Sequence, residues 1–429
     1  MRAVFVLFAF LGFSLIGPAN AADVSIELEK AAQYFREFDQ LCKEDGGKLW
    51  GVSFCGPMVF VDPVNRMAAG NEADAEGELK SKAGVFAGEL PPEVMIANTA
   101  VEWGGKRWTM IMWWSISSET DERLALLAHE AFHRIQPQLG LTPSAQINSH
   151  LDTGEARFWL QMEWNALQKA LSSKGQARRD AVSDALTFRA ARRAFFPGAA
   201  ENEGALEIFE GLAEYSGRRL AGFSSAKLVE AITARRGKAT GFVRSFAYIT
   251  GPLYGFLLDE AAKDWRKSVT AKTDLGVSLG QAVGAEARPV KDAERLAEPY
   301  GGAALRKAEH AREERRVEQL AAWRTSLIDG PILIVDLKSV TAGTFDPRAV
   351  FPFSDKQTVY TTRELQAEWG TLTVKDGAIL EDLVSRTASV SLQGAAPDHL
   401  RGNGWTLKLN PGWVVRPGER AGDFVVAKE

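Results

Sequence analysis

The chain has 429 residues, of which 45% are hydrophobic and 25% charged, and this ordinary globular composition excludes a disordered or fibrous protein. A chain of this length exceeds what one hydrophobic core usually serves, so two domains are expected. Because 51 Lys and Arg residues face 55 Asp and Glu residues, the net charge of −4 offers no basic excess to a phosphate backbone. We therefore expect no nucleic-acid partner.

The N-terminus has the pattern of a secretory signal. Arg2 precedes an apolar run over 3–16, and a small-x-small sequence follows at 19–21. The apolar run is too short to span a bilayer, and the small residues are typical of a cleavage site. We expect residues 1–21 to be a signal peptide, so that the mature protein is periplasmic or secreted and has no membrane span. The sequence leaves the oligomeric state open.

The chain contains two cysteines, Cys42 and Cys55. An even pair in an exported protein favours one disulfide, which would contribute about 3 kcal/mol by closing a short loop. Two free buried thiols are the alternative. Two cysteines alone lack the further ligands that a metal site needs.

Hydrophobic periodicity predicts the elements before the middle of the chain. A helix is expected over 24–43, with Gly46-Gly47 at its end. Ser118 and Asp121 resemble a capping box, which predicts a helix that runs to about Gln136. Between these helices, strand-like runs are expected at 58–61, 84–87, 95–102 and 108–114. A hairpin turn at Gly104-Gly105 is expected to join the last two of them.

The rest of the chain changes from helical to strand-like patterns near Asp329. Helices are predicted at 155–171, 178–195, 205–220, 225–235, 252–267 and 302–328. Strands are predicted at 332–335, 371–374, 388–392, 405–409 and 424–427. The fold class is therefore predicted to be α+β, with a mostly helical domain over 22–328 and a small β-rich accessory domain over 329–429.

The stretch from His129 through Glu130 to His133 has the spacing of a metal-binding motif. On a helix, residues i and i+4 project from nearly the same face about 6 Å apart, so both imidazoles are expected to reach one ion. Neutral imidazole suits Zn²⁺, and Glu130 is placed to accept a proton from a water that the zinc activates. The alternative is a pair of surface histidines on an ordinary helix, which the apolar neighbours Leu127 and Phe132 argue against.

Two histidines and a water leave zinc one protein ligand short. A metzincin site is excluded because the chain has Gln136 and Leu139 where that pattern needs Gly and His. The best candidate is Glu210, in the run Glu210-Gly211-Leu212-Ala213-Glu214-Tyr215.

With this run, the chain resembles the gluzincin metallopeptidases, the thermolysin-like branch of the zincins. The resemblance implies a zincin-like catalytic domain with a small mixed sheet, in which Glu210 is a zinc ligand and Glu214 orients a ligand histidine. It covers the active-site helices and the strand before them, but neither the N-terminal helix nor the β-rich end. The long sequence separation between His133 and Glu210 departs from a compact gluzincin, so an inserted helical pair is expected between them.

That long separation leaves rivals for the third ligand. Glu155 lies closer to the usual distance, and Glu163 follows two turns later on the same predicted helix. For both, pairing with a basic residue such as Arg157 is the commoner fate of a helical glutamate.

The resemblance also implies a mechanism in which Glu130 is the general base and a further side chain stabilises the oxyanion. Tyr248 and Tyr254 are candidates for that donor because they flank Thr250-Gly251-Pro252, and His150 is another. Each of them is more often a packed ring or a solvent-facing group.

In zincins, extended substrate pairs with a sheet edge, and the run 107–114 has the expected sequence position. Its tryptophans are expected either to line a groove or to be buried against the metal helix.

The sequence thus predicts an exported zinc metallopeptidase that acts on peptide or protein substrates. The alternatives are a non-catalytic scaffold protein of the cell envelope and a zinc hydrolase that does not act on peptides. A purely structural zinc site needs no general base and is usually closed by a fourth protein ligand, so Glu130 favours an enzyme.

Overall fold

The computed structural model describes residues 25–429 except 144–147, 239–240, 346–348, 355 and 397. The predicted signal peptide therefore lies outside the described residues. The chain divides into two compact units, Met1–Arg306 and Lys307–Glu429, and the predicted domain limits at 328 and 329 stay a prediction. In the described part of the chain, no helix is both long and apolar enough to cross a membrane.

Helices make up most of the first unit. They are α1 (Leu28–Asp45), α2 (Thr120–Ile135), α3 (Gly154–Leu171), α4 (Gly175–Ala194), α5 (Ala199–Leu206), α6 (Leu212–Leu220), α7 (Ser225–Lys238), α8 (Ala247–Ala261), α9 (Leu275–Val283), α10 (Ala293–Ala297) and α11 (Gly302–Arg324), the last of which continues into the second unit. A π-helical turn, Glu207–Gly211, joins α5 to α6 without a break.

The helix predictions are confirmed in number and type for the longer elements, and the differences have local causes. Helix α1 ends where Gly46 takes a left-handed conformation with φ of 56°, as the sequence predicted. The capping box is wrong, because α2 has Glu119 at its N-cap and no side chain caps it. The predicted start of α8 at Pro252 is also wrong, since this proline lies inside the helix.

The first unit also contains a six-stranded mixed sheet. Its strands are β1 (Met58–Val61), β2 (Met67–Gly70), β3 (Lys80–Lys82), β4 (Val85–Glu89), β5 (Thr99–Trp103) and β6 (Lys106–Met112). Their order is β3-β4-β2-β1-β6-β5, with β1 and β6 parallel and the other neighbours antiparallel. Strands β2 and β3 were not predicted, because each is short and lacks an alternating apolar pattern.

The prediction that run 107–114 forms the substrate-binding sheet edge is wrong. Strand β6 lies between β1 and β5 and pairs with both, so β5 is the edge on that side of the sheet. Trp108 and Trp113 are buried, whereas Trp114 is exposed. Strand β6 is interior because both of its edges are paired, and every residue from Trp108 to Met112 is also buried.

A disulfide joins Cys42 at the end of α1 to Cys55 in the loop before β1. The two cysteines are 13 positions apart in the sequence, so the bond restrains the chain between the N-terminal helix and the sheet. Within the same region, Tyr34, Phe35 and Phe38 of α1 are buried against the main core of the first unit.

The C-terminal region is β-rich. Its strands are β7 (Ile332–Asp336), β8 (Val340–Phe345), β9 (Val350–Ser354), β10 (Gln357–Ala367), β11 (Gly370–Asp382), β12 (Thr387–Ser391), β13 (Arg401–Gly402), β14 (Trp405–Leu409), β15 (Trp413–Pro417) and β16 (Phe424–Lys428). They form one mixed sheet, in which β7 and β16 are parallel. In β14, Trp405 and Leu407 are buried while Thr406 and Lys408 are exposed, which is the alternation that predicted a strand.

Candidate metal centre

The candidate centre is built on two helices of the first unit that pack closely. Helix α2 carries His129 and His133, and the continuous helix from α5 to α6 carries Glu210 and Glu214. At Gly217 of α6, an added Cβ would lie 2.3 Å from the carbonyl oxygen of Ala125 in α2. The helices come this close because residue 217 has no side chain, and α6 can therefore present its acids directly to the histidines.

Three ligand atoms converge at this contact. The Nε2 atoms of His129 and His133 lie 3.2 Å apart, and Oε2 of Glu210 lies 3.4 Å from each of them. Four ligands around a tetrahedral ion with bonds of about 2.0–2.1 Å are about 3.3 Å from one another. The separations within this group match that value, so the buried His-His-Glu group could hold a metal ion.

The outer ring nitrogens of both histidines are occupied. Nδ1 of His129 lies 3.1 Å from Oε2 of Glu214, and Nδ1 of His133 lies 2.8 Å from Oε1 of Gln136. An acceptor at Nδ1 favours the tautomer with its proton there and leaves Nε2 free to bind a metal. Two such Nε2 lone pairs 3.2 Å apart repel each other unless a cation or a proton lies between them.

Electrostatics around the centre favour ionised acids. Burial by itself would raise the pKa of Glu214, but Arg235 and Arg218 outweigh it and hold that pKa well below its usual value. Both guanidinium groups donate to Oε1 of Glu214 at 3.0 Å. Burial likewise opposes ionisation of Glu210, yet hydrogen bonds with His129 and His133 lower its pKa.

Without a metal, the acids favour a protonated imidazole. Burial would lower the pKa of His129, but its hydrogen bonds with Glu210 and Glu214 raise it to about 10. A divalent cation would supply the same positive charge at the same place. The donor set and its charge therefore fit a cation.

Glu130 follows His129 on α2 and is also buried. Its Oε2 atom has no hydrogen-bond partner among the described residues, which is rare for a buried carboxylate oxygen. Burial is the largest influence on the pKa of this carboxyl group and raises it. An unsatisfied acid next to the ligand set is consistent with a group that accepts a proton from a molecule bound there.

Tyr248 belongs to the same group. Its hydroxyl donates to Oε2 of Glu210 at 2.7 Å, and its ring is parallel to that of His129 with centroids 5.5 Å apart. Burial and the negative charge of Glu210 raise the pKa of Tyr248 well above 10, so the phenol stays a neutral donor. Arg244, which is about one-third exposed, reaches the other oxygen of Glu210 at 3.6 Å.

A glycine contact brings Tyr248 to Glu210. At Gly251 of α8, an added Cβ would lie 2.3 Å from Cα of Gly211 in the π-helical turn. Tyr248 is one turn before Gly251 on α8, and Glu210 immediately precedes Gly211. The close crossing therefore places the phenol hydroxyl beside the carboxylate.

The other sequence candidates are not part of this group. The rival ligand Glu155 is an exposed side chain that pairs with Arg306. Glu163 is fully buried, but it binds Arg189, Arg192 and the hydroxyl of Tyr254. Both acids therefore have the fate that is commoner for a helical glutamate, and Tyr254 is held away from the histidines by its bond to Glu163.

His150 also belongs elsewhere, because its Nε2 lies 2.9 Å from Oε1 of Glu203. Glu203 is held by Arg192 and Arg193, so these residues join Glu163 in a buried network of charges between α3, α4 and α5. Helices α3, α4 and α5 lie in the stretch for which an inserted helical pair was predicted, and charged side chains of α3 and α4 bind one another.

Gln136, Arg218 and Arg235 contact His133 or Glu214 and were not predicted. Gln136 was noted only as a departure from the metzincin pattern, although its position three residues after His133 places it on the same helical face. Arg218 follows Glu214 by four residues, which is a detectable ion-pair spacing. The sequence around Arg235 does not indicate its contact with Glu214, because Arg235 lies on a different helix, α7.

Comparisons of this chain with protein-family models, with curated proteins and with solved structures find no match.

Proposed function

We propose that this chain is an exported zinc-dependent metallopeptidase of the gluzincin type. The observation that carries the proposal is the convergence of His129, His133 and Glu210, with the unsatisfied carboxylate of Glu130 beside them. The pattern of a signal peptide supports export.

The donor set supports zinc as the metal. Two imidazole nitrogens are borderline ligands, and together with one carboxylate oxygen they suit Zn²⁺ better than the harder Mg²⁺ or Ca²⁺, which prefer oxygen ligands alone. Three protein ligands with no fourth one are typical of a catalytic site, whereas a structural site is usually closed. Among the described residues, the group that could hold a metal here consists of His129, His133 and Glu210.

The chain's own residues then have separate tasks. Zinc, when bound, supplies a Lewis acid that polarises a carbonyl group and lowers the pKa of water. The carboxylate of Glu130 accepts the proton of the attacking water and returns it to the leaving amine. The hydroxyl of Tyr248, which donates to Oε2 of Glu210 in the free protein, turns from that carboxylate to donate to the oxyanion, and Glu214 keeps His129 oriented.

The edge strand β5 is the proposed place for the substrate backbone. It pairs with β6 on one side and forms that edge of the sheet, so its other side has backbone groups available for an extended peptide.

The test is metal content and cleavage of unfolded casein by the wild type and by Glu130→Gln. We expect both proteins to bind about one zinc ion per chain and the variant to lose at least about 100-fold in cleavage rate, the lower range for a lost general base. Glu119→Gln, which changes an exposed glutamate just before the same helix, is the matched control and should cleave normally. Cleavage by Glu130→Gln at the wild-type rate would refute the assigned role.

The alternative is a non-catalytic scaffold protein that keeps the metal site. One observation favours it, namely that His129, Glu130, His133 and Glu210 are all at least nine-tenths buried, whereas a peptide must reach the centre. Zinc bound by both proteins with no cleavage of casein by either would support this alternative.

A further inference from the structure

Gln136 connects the two helices of the metal centre. It immediately follows α2, three residues after His133, and its side chain is almost fully buried. Its Oε1 atom lies 2.8 Å from Nδ1 of His133, and its Nε2 donates to the backbone carbonyls of Phe209 at 2.9 Å and Ile208 at 3.3 Å. Those two carbonyls belong to the π-helical turn that contains Glu210.

The carbonyl contacts determine which way the amide faces. A side-chain amide has two ends that look alike, and only the nitrogen end can donate to a carbonyl oxygen. Because two carbonyls face one end of Gln136, that end must be the NH₂ group, and the oxygen must face His133. An oxygen acceptor at Nδ1 requires the proton to be on Nδ1, which leaves the lone pair of Nε2 toward the centre.

We propose that Gln136 is a positioning residue that holds His133 in its metal-binding tautomer and ties this ring to the turn that carries Glu210. The inference rests on the proposed metal site, but not on peptidase activity. The two functions come from opposite ends of one amide: the acceptor sets the tautomer, and the donor pair sets the distance between the helices.

The amide is suited to this place because it satisfies both His133 and the two backbone carbonyls. A carboxylate would satisfy only His133, and an apolar side chain would satisfy neither partner. A glutamate would accept from His133, but it would place negative charge against two carbonyl oxygens. A methionine of similar length would do neither, and it would leave Nδ1 of His133 and both carbonyls without this partner.

The first test is zinc affinity, measured by competition with a chelator in the full mature chain. We expect Gln136→Met to bind zinc about 10–100-fold more weakly than the wild type, as for other residues that orient a ligand histidine. Gln138→Met makes the same change at an exposed position two residues later, and it should bind within twofold of the wild type. Equal zinc affinity in Gln136→Met and the wild type would overturn the proposal.

The second test reads the tautomer in metal-free protein, by ¹⁵N NMR of labelled histidines. We expect Nδ1 of His133 to be protonated in the wild type and in Gln136→Glu, which keeps the acceptor, and to lose that preference in Gln136→Met. Loss of the preference in Gln136→Glu, or its retention in Gln136→Met, would contradict the proposal. If Gln136→Met does not fold, Gln136→Glu alone decides the outcome. If the wild type binds no zinc, the proposed function fails while this measurement still tests Gln136.

Discussion

A single oxygen atom, Oε2 of Glu210, contacts both histidines and Tyr248. It lies 3.4 Å from Nε2 of each histidine and accepts the hydroxyl of Tyr248 at 2.7 Å. The negative charge of this oxygen is what a cation between the two imidazoles would balance. The residue is therefore the point at which binding of the metal and orientation of Tyr248 are coupled.

Removing this charge should remove the metal. We expect Glu210→Gln to lower zinc affinity by more than about 100-fold, since loss of a ligand exceeds the cost of losing a residue behind a ligand. Competition with a chelator measures the effect. Glu201→Gln changes an exposed acid of α5 and should leave the affinity unchanged. Near-wild-type affinity in Glu210→Gln would show that the third ligand is another group.

Among elements, the crossing of α8 with the π-helical turn leaves no room for an added side chain. Gly211 and Gly251 face each other there, and a Cβ at residue 251 would lie 2.3 Å from both Cα and the carbonyl oxygen of Gly211. Both obstacles are backbone atoms, so a side chain could be accommodated only if the helices separated. The π-helical turn itself shifts the following residues around the helix axis, which is a common device where a functional residue must be aimed.

We expect Gly251→Ala to lower the free energy of unfolding by about 3 kcal/mol, the upper range for overpacking. Urea-induced unfolding at 25 °C measures it. Gly204→Ala is the matched control, because residue 204 is in the adjoining helix α5 and has no atom within 4 Å of an added Cβ. That change should stabilise the protein slightly, by less than about 1 kcal/mol. Equal stability of Gly251→Ala and the wild type would refute the tight crossing.

On the scale of the whole first unit, a buried network of charges joins helices α3 and α4 to the helix of Glu210. Arg189 and Arg192 of α4 bind Glu163 of α3, while Arg189 also binds Glu207 in the π-helical turn. Asp274, at the N-cap of α9, pairs with Arg193. Such a network is costly to break, because removal of one partner leaves a buried charge uncompensated.

The network predicts acid sensitivity. Burial opposes ionisation of Glu203 and Asp274, but the arginines outweigh it and lower the pKa of both acids below their ordinary values of 4.5 and 3.8. Their stabilisation is present above those values and is lost as the pH falls below them. Glu207 acts with the opposite sign, since burial raises its pKa.

We expect the free energy of unfolding to fall below about pH 4, by up to about 1.4 kcal/mol per pH unit for each acid whose pKa is lowered. Urea unfolding at several pH values measures this slope. Asp274→Asn keeps a helix-capping side chain but removes one of the charges, so its slope should be smaller than that of the wild type. An unchanged slope in this variant would show that Asp274 does not contribute.

The correct predictions concerned features that residues close together in the sequence determine. His129, Glu130 and His133 share one helix, so a spacing of four residues was enough to place both imidazoles on one face. The alternation in β14 and the left-handed glycine after α1 were visible for the same reason. Errors arose where a local rule was overridden, as at Pro252, which lies inside a helix whose residues from Ala247 to Leu258 are buried.

Local patterns were enough to predict the helix that carries the two histidines and the adjacent acid, the longer helices and the β-rich character of the C-terminal region, because helix and strand periodicity are local properties. The packing of distant segments was needed to show that Glu210, rather than Glu155 or Glu163, lies beside the histidines, and that β5 forms the sheet edge. It also decided that Tyr248 reaches Glu210 while Tyr254 and His150 bind other acids. Those outcomes depend on where glycines let helices touch and on which buried charges meet, and sequence separation carries no information about either.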